Sequence, residues 1–105
     1  MSKDTSQPTY NLDELLDLIN NPSRLHITER AWDDAMDLGF ISEYDIVRQV
    51  SKLTKANFCH TMPSEKKLGQ MQDVYKMDWQ ETILYIKLRK SDIGQGVVIS
   101  FHTTL

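Results

Sequence analysis

The chain has 105 residues, 40% of them apolar and 26% charged, with a formal net charge of −3. That length suits one domain around one core, and the composition is that of a folded protein rather than a disordered one. A single cysteine, Cys59, excludes an intrachain disulfide and disfavours a Cys-based zinc site, and no apolar run approaches the ~18 residues of a membrane helix.

Met1 to Thr9 is polar and lacks the apolar stretch of a secretory signal, so a cytoplasmic location is expected. Residues 1–10 are read as a flexible leader to a single domain spanning 1–105. Asn11 then opens a first helix as its N-cap, with Glu14 placed for a capping box, and Leu12, Leu15, Leu16 and Ile19 form one apolar stripe that ends before Pro22. Thr28 caps a second helix, whose buried side is assigned to Ala31, Trp32, Ala35, Met36 and Leu38, and Gly39 stands at the left-handed position after it. Ser42 opens a third helix, with Ile46, Val47, Val50 and Leu53 facing inward.

Beyond residue 54 the period changes from 3.6 to 2. In Ile83–Arg89, Leu84, Ile86 and Leu88 alternate with Ile83, Tyr85, Lys87 and Arg89, which describes a strand with one apolar face and one face of phenol and cations. Val97, Ile99 and Phe101 alternate likewise with Val98, Ser100 and His102. Residues 91–96 supply a glycine-containing hairpin loop, and Met77 to Gln80 are read as the connection between Tyr85's strand and the one holding Gln72 to Lys76. Helices first and a meander second predict an α+β fold, with three N-terminal helices on one face of a C-terminal antiparallel sheet and the other face open. Trp79, in the connection, is either an edge cover or a partner contact.

Charge is distributed unevenly. Residues 1–50 carry four basic and ten acidic side chains, while residues 51–105 carry eight basic and five acidic. The second half is therefore the one suited to a phosphate backbone. There is no glycine-rich phosphate loop, and His26, His60 and His102 follow no metal-ligand spacing. Cys59 next to His60 invites a Cys–His pairing, but neighbours on a regular strand point to opposite faces, so a buried, inert thiol is expected.

Four segments come in a fixed order: Phe58-Cys59-His60-Thr61-Met62, Gln72-Asp73-Val74-Tyr75-Lys76, Tyr85-Ile86-Lys87 and Val97-Val98-Ile99-Ser100-Phe101-His102. The series resembles the MqsR family of bacterial toxins, closely over residues 54–105 and by helical pattern before that. The resemblance implies a RelE-like fold and a ribosome-independent endoribonuclease of mRNA that needs no metal or other cofactor. It also implies silencing by a protein antitoxin, a zinc-containing, DNA-binding one encoded nearby.

The resemblance further implies a site. His60 and His102 stand where relatives carry lysines, Gln72 and Tyr85 match family residues, and Lys76 stands where relatives often carry arginine. Cleavage of RNA without metal needs a base for the 2′-hydroxyl, an acid for the departing 5′-oxygen and donors for the phosphate. His60 and His102 are accordingly read as the proton-transfer pair, Gln72 as an amide that binds a base edge or phosphate oxygen, and Tyr85 as a stacking or donating phenol. Lys76, Lys87 and Arg89 would bind phosphate, and Met62 would wall the pocket. Two rival readings remain: a non-catalytic module that binds RNA or antitoxin, its turnover lost with the two lysines, and a protein-binding domain whose sheet edge pairs with a partner strand.

Overall fold

The computed structural model describes residues 7–103. The elements run α1 (Leu12–Ile19), β1 (Leu25–Ile27), α2 (Glu29–Asp37), α3 (Glu43–Val50), a 3-10 turn (Lys55–Asn57), β2 (Phe58–Pro63), β3 (Met71–Trp79), β4 (Thr82–Lys90) and β5 (Gly96–Thr103). The sheet order is β1-β5-β4-β3-β2. The class is α+β, with the helices ahead of the main sheet in sequence. The sheet is mixed rather than purely antiparallel, because the unanticipated β1 pairs parallel to β5 through Leu25 with Gly96, His26 with Val97 and Ile27 with Val98.

Each helix begins at the expected cap. The side chains of Asn11, Thr28 and Ser42 accept from the backbone N–H three residues on, at 2.9, 3.1 and 3.1 Å, which satisfies one otherwise orphaned donor in each first turn. Glu14 does not close a capping box; its carboxylate meets the Lys90 ammonium at 2.9 Å and ties α1 to β4. Gly39 adopts φ +97° beyond α2, as a left-handed C′ residue should.

The core lies between the helices and one face of the sheet. Leu12, Leu15 and Ile19 of α1, Ala31 and Ala35 of α2, and Ile46 and Val50 of α3 pack with Leu84, Ile86, Leu88, Val98 and Phe101. Leu84, Ile86 and Leu88 are fully buried, so the period-2 reading of β4 and its helix-covered side both hold. Met36 does not join them: it is 56% exposed. Gly96 permits the close approach of α1 to β5, since a Cβ there would lie 2.9 Å from Ile19 Cγ1 and Leu18 Cβ.

Two features depart from simple alternation. Met77, Asp78 and Trp79 belong to β3 and not to a connection, and the chain reverses at Gln80 and Glu81, both at positive φ (47° and 66°) between the paired Trp79 and Thr82. Trp79 packs on Phe40 with ring centroids 5.4 Å apart, and Phe40 meets Phe101 edge-on at 4.9 Å, so the tryptophan is a core cover. In β5 the register shifts by one residue: Phe101 pairs with Ile86 and Val98 with Leu88, leaving Ile99 as the extra residue of a bulge. Val98 and Phe101 therefore both join the helix-side core despite their three-residue spacing, while the buried Val97 pairs with Arg89.

The expected flexible stretch 1–10 is also ordered at its end. Thr9 and Tyr10 donate their backbone N–H groups to the buried Asp73 carboxylate at 3.0 and 2.9 Å, and the Tyr10 hydroxyl donates to the Met71 carbonyl at 2.9 Å. Residues 1–6 lie outside the described residues.

Candidate active site

Pairing registers place the candidate residues in rows across the face away from the helices. Tyr85 of β4 lies between Lys76 of β3 and His102 of β5. One step along, Lys87 lies between Val74 and Ser100, and Val74 in turn opposes His60 of β2. Met62 opposes Gln72 nearer the other end.

The first row is the most coherent cluster. The rings of Tyr85 and His102 stack with centroids 5.9 Å apart and planes inclined by 23°. Both side chains are half-buried and Lys76 is exposed, so a phenol, an imidazole and an ammonium share one open strip. Burial pushes the His102 imidazole below the usual histidine value. The Asp34 carboxylate opposes that shift, while the Lys87 and Arg30 cations add to it.

His60 does not reach this row. It is exposed on β2, with β3 and β4 between it and β5, and three strand spacings of ~4.8 Å put it roughly 14 Å from His102 even before their offset along the strands. One phosphate cannot sit within hydrogen-bond reach of both imidazoles in this conformation. His60 instead lies beside Cys59, with Nδ1 3.3 Å from Sγ. The register shift between Phe58 and His60 makes Cys59 the extra residue of a bulge, which brings the two side chains together where a regular strand would have parted them. Cys59 is half-buried, not fully buried as expected.

Gln72 and Arg89 are more enclosed than the sequence suggested. Gln72 is 6% exposed and its amide donates to the Pro63 carbonyl at 3.4 Å. The Arg89 guanidinium donates to Gln70 Oε1 at 2.8 Å, and Gln70 in turn donates to the Asp92 carboxylate at 3.3 Å, so Arg89 braces the β2–β3 and β4–β5 loops. Met62 is half-buried beside Gln72. A cavity of about 530 Å³ on the helical side, lined by Leu25, Tyr44 and Val47 among others, contains none of these residues. The Tyr85 strip is open, a shape suited to an extended strand rather than an enclosed small molecule.

Arg30 and Asp34 of α2 went unnoticed in the sequence, although their four-residue spacing beside the Ala31 and Ala35 stripe marks one helix flank. Among the described residues no group of three or more His, Cys, Asp or Glu side chains could hold a metal ion. No helix there is long and apolar enough to cross a membrane.

Comparison with curated proteins finds no match. The family model described as motility quorum-sensing regulator, toxin of MqsA, matches residues 7–103, which takes in the helical half as well as the four segments of the sheet. The chain therefore belongs to the MqsR toxin family, the toxin side of a toxin–antitoxin pair.

Proposed function

We propose that the protein is an endoribonuclease that cleaves single-stranded mRNA without a metal ion, by attack of the ribose 2′-hydroxyl on the adjacent phosphate, and that a protein antitoxin holds it inactive. The observation that carries this reading is the row His102–Tyr85–Lys76. A phosphate seated over Tyr85 would have an imidazole on one side and an ammonium on the other, two strand spacings or ~10 Å apart in all.

The roles follow from protonation. His102, held below the usual histidine range, is neutral at neutral pH and takes the 2′-hydroxyl proton. Lys76 donates a proton to the departing 5′-oxygen, and the Tyr85 hydroxyl and Lys87 side chain donate to the non-bridging oxygens as charge grows on them. The products are a 2′,3′-cyclic phosphate and a free 5′-hydroxyl. His60, on the far strand of the same face, takes no part in proton transfer in this scheme. Met62, half-buried beside the covered Gln72, adjoins the row where a base would lie, and Arg89 steadies the loops around it.

The test is single-turnover cleavage of an unstructured RNA with chelator present, with the new ends identified chemically. Cleavage to a cyclic phosphate that is lost in His102→Ala and Lys76→Ala supports the scheme. Cleavage that needs added divalent metal would overturn it. RNA binding without any cleavage would select the non-catalytic RNA-binding module instead.

A further inference from the structure

We infer that α2 forms a second wall of the site, with Asp34 and Arg30 acting as a pair of opposed charges that position the protonation state of His102. The inference deepens the proposed RNA cleavage and rests on that reading for its role in catalysis, but not for its electrostatics.

The geometry begins with the connection from β1. The Thr28 backbone N–H donates to the Val98 carbonyl at 3.1 Å, and the Thr28 hydroxyl donates to the carbonyl of the bulged Ile99 at 2.8 Å. The same hydroxyl caps α2. Helix and strand are thereby fixed in register just where β1 ends, so α2 continues along the edge of β5 that β1 leaves free.

Helical periodicity then sorts its side chains. Ala31 and Ala35, both fully buried, belong to the core that contains Phe101. Trp32 lies about 100° round the helix from Ala31 and packs against that same core. Arg30 and Asp34 lie about 100° round in the opposite direction, on the flank away from Trp32. His102 is the residue after Phe101 and points to that face, paired with Tyr85. Asp34 is half-buried despite its charge, which fits a carboxylate packed at the edge of the site, whereas Arg30 is exposed.

The groups that bear on His102 are Tyr85, stacked on it, and Lys87 from β4, and Arg30 and Asp34 from α2. Asp34 favours the imidazolium; Arg30 and Lys87 disfavour it. The two α2 residues act with opposite sign on one titration, and that opposition separates an electrostatic role from a structural one.

The experiment follows the His102 ring by NMR across pH in the wild type, Asp34→Asn, Arg30→Gln and the double variant, with the signal assigned by its loss in His102→Asn. Asp34→Asn is expected to move the His102 titration to lower pH and Arg30→Gln to higher pH, with the double variant falling between them. The acid limb of single-turnover RNA cleavage should move in the same directions. Titrations that do not move, or that move in the same direction in both single variants, would overturn the inference. A wild type that cleaves no RNA would count against the proposed function alone, since the ring titrations still decide whether α2 controls His102.

Discussion

The imidazoles of His60 and His102 share one face of the sheet but stand on β2 and β5, with β3 and β4 between them. In the proposed cleavage a single scissile phosphate can engage only one, and the stacked Tyr85, the in-row Lys76 and the neighbouring Lys87 all favour His102. His102→Ala is expected to lower single-turnover cleavage by roughly 10²–10⁴-fold, the range for loss of a general base. His60→Ala should stay within about tenfold of wild type, below that range. Equal losses in the two variants would require His60 to approach the site in the complex with RNA and would remove Lys76 as the sole acid.

The rate should also report the state of His102 through pH. Its imidazole is held below the usual histidine value by burial, so the neutral, proton-accepting form persists to more acidic pH than in an exposed histidine. Cleavage should therefore rise with pH along a limb that lies below ~6.5, the ordinary histidine value, and be level through neutrality. A limb above that value in the wild type would be inconsistent with this assignment. So would a limb that survives unchanged in His102→Ala.

What could be read from the sequence was local chemistry. Asn11, Thr28 and Ser42 declare helix starts because a cap acts on its own first turn, and Leu84, Ile86 and Leu88 declare a strand because β4 runs without interruption. What could not be read depended on partners. β1 has three residues, too few for any period, and exists because β5 offers it an edge. The bulges at Cys59 and Ile99 change the phase of β2 and β5, and nothing in either segment announces an extra residue. The site shows the same division. Tyr85, Lys87 and Arg89 were placed on one face by alternation alone, but the distance between His60 and His102 is set by strand order, which no single segment encodes. Gln72 was expected to be available and is covered, because the neighbouring strand supplies the Pro63 carbonyl.

The β3–β4 reversal carries avoidable strain. Gln80 and Glu81 both hold positive φ, the backbone of a two-residue hairpin turn in which asparagine and glycine are favoured. Neither residue is suited to that region, and no asparagine or glycine marks the point of reversal. Glu81→Gly, alone or with Gln80→Asn, is expected to raise unfolding stability by ~0.5–1 kcal/mol in urea, the gain partly offset by the entropy glycine adds to the unfolded chain. The turn lies at the end of the sheet, so the change would be judged against a cleavage rate close to wild type. A loss of stability would show that side-chain contacts of Glu81 outweigh its backbone conformation.

Tyr75 presents the opposite case, a residue of the Gln-Asp-Val-Tyr segment whose polar atom has no partner. The side chain is fully buried on the helical face of β3, with its ring 5.6 Å edge-on from Phe58, and the hydroxyl makes no hydrogen bond among the described residues. An unpaired buried hydroxyl loses its hydration without compensation. Tyr75→Phe keeps the ring packing and is expected to leave stability unchanged or raise it by up to about 1 kcal/mol at neutral pH. Alkaline conditions sharpen the comparison. Burial, and secondarily the Asp73 carboxylate, push the Tyr75 hydroxyl up to about 12, while in the unfolded chain it would ionise near 10. Its contribution to stability is therefore complete below pH ~10 and is lost as pH rises through the folded value, because the unfolded chain releases the proton first. Urea unfolding of wild type and Tyr75→Phe at neutral pH and at a series of values above pH 10 should show the two curves diverging, with the phenylalanine variant losing less. Tyr10, whose hydroxyl is also raised, is common to both proteins and cancels in the difference. Curves that remain parallel above pH 10 would mean that the Tyr75 hydroxyl ionises alike in the folded and unfolded chain and is not desolvated, while a variant less stable at neutral pH would mean that the hydroxyl finds a partner in solution.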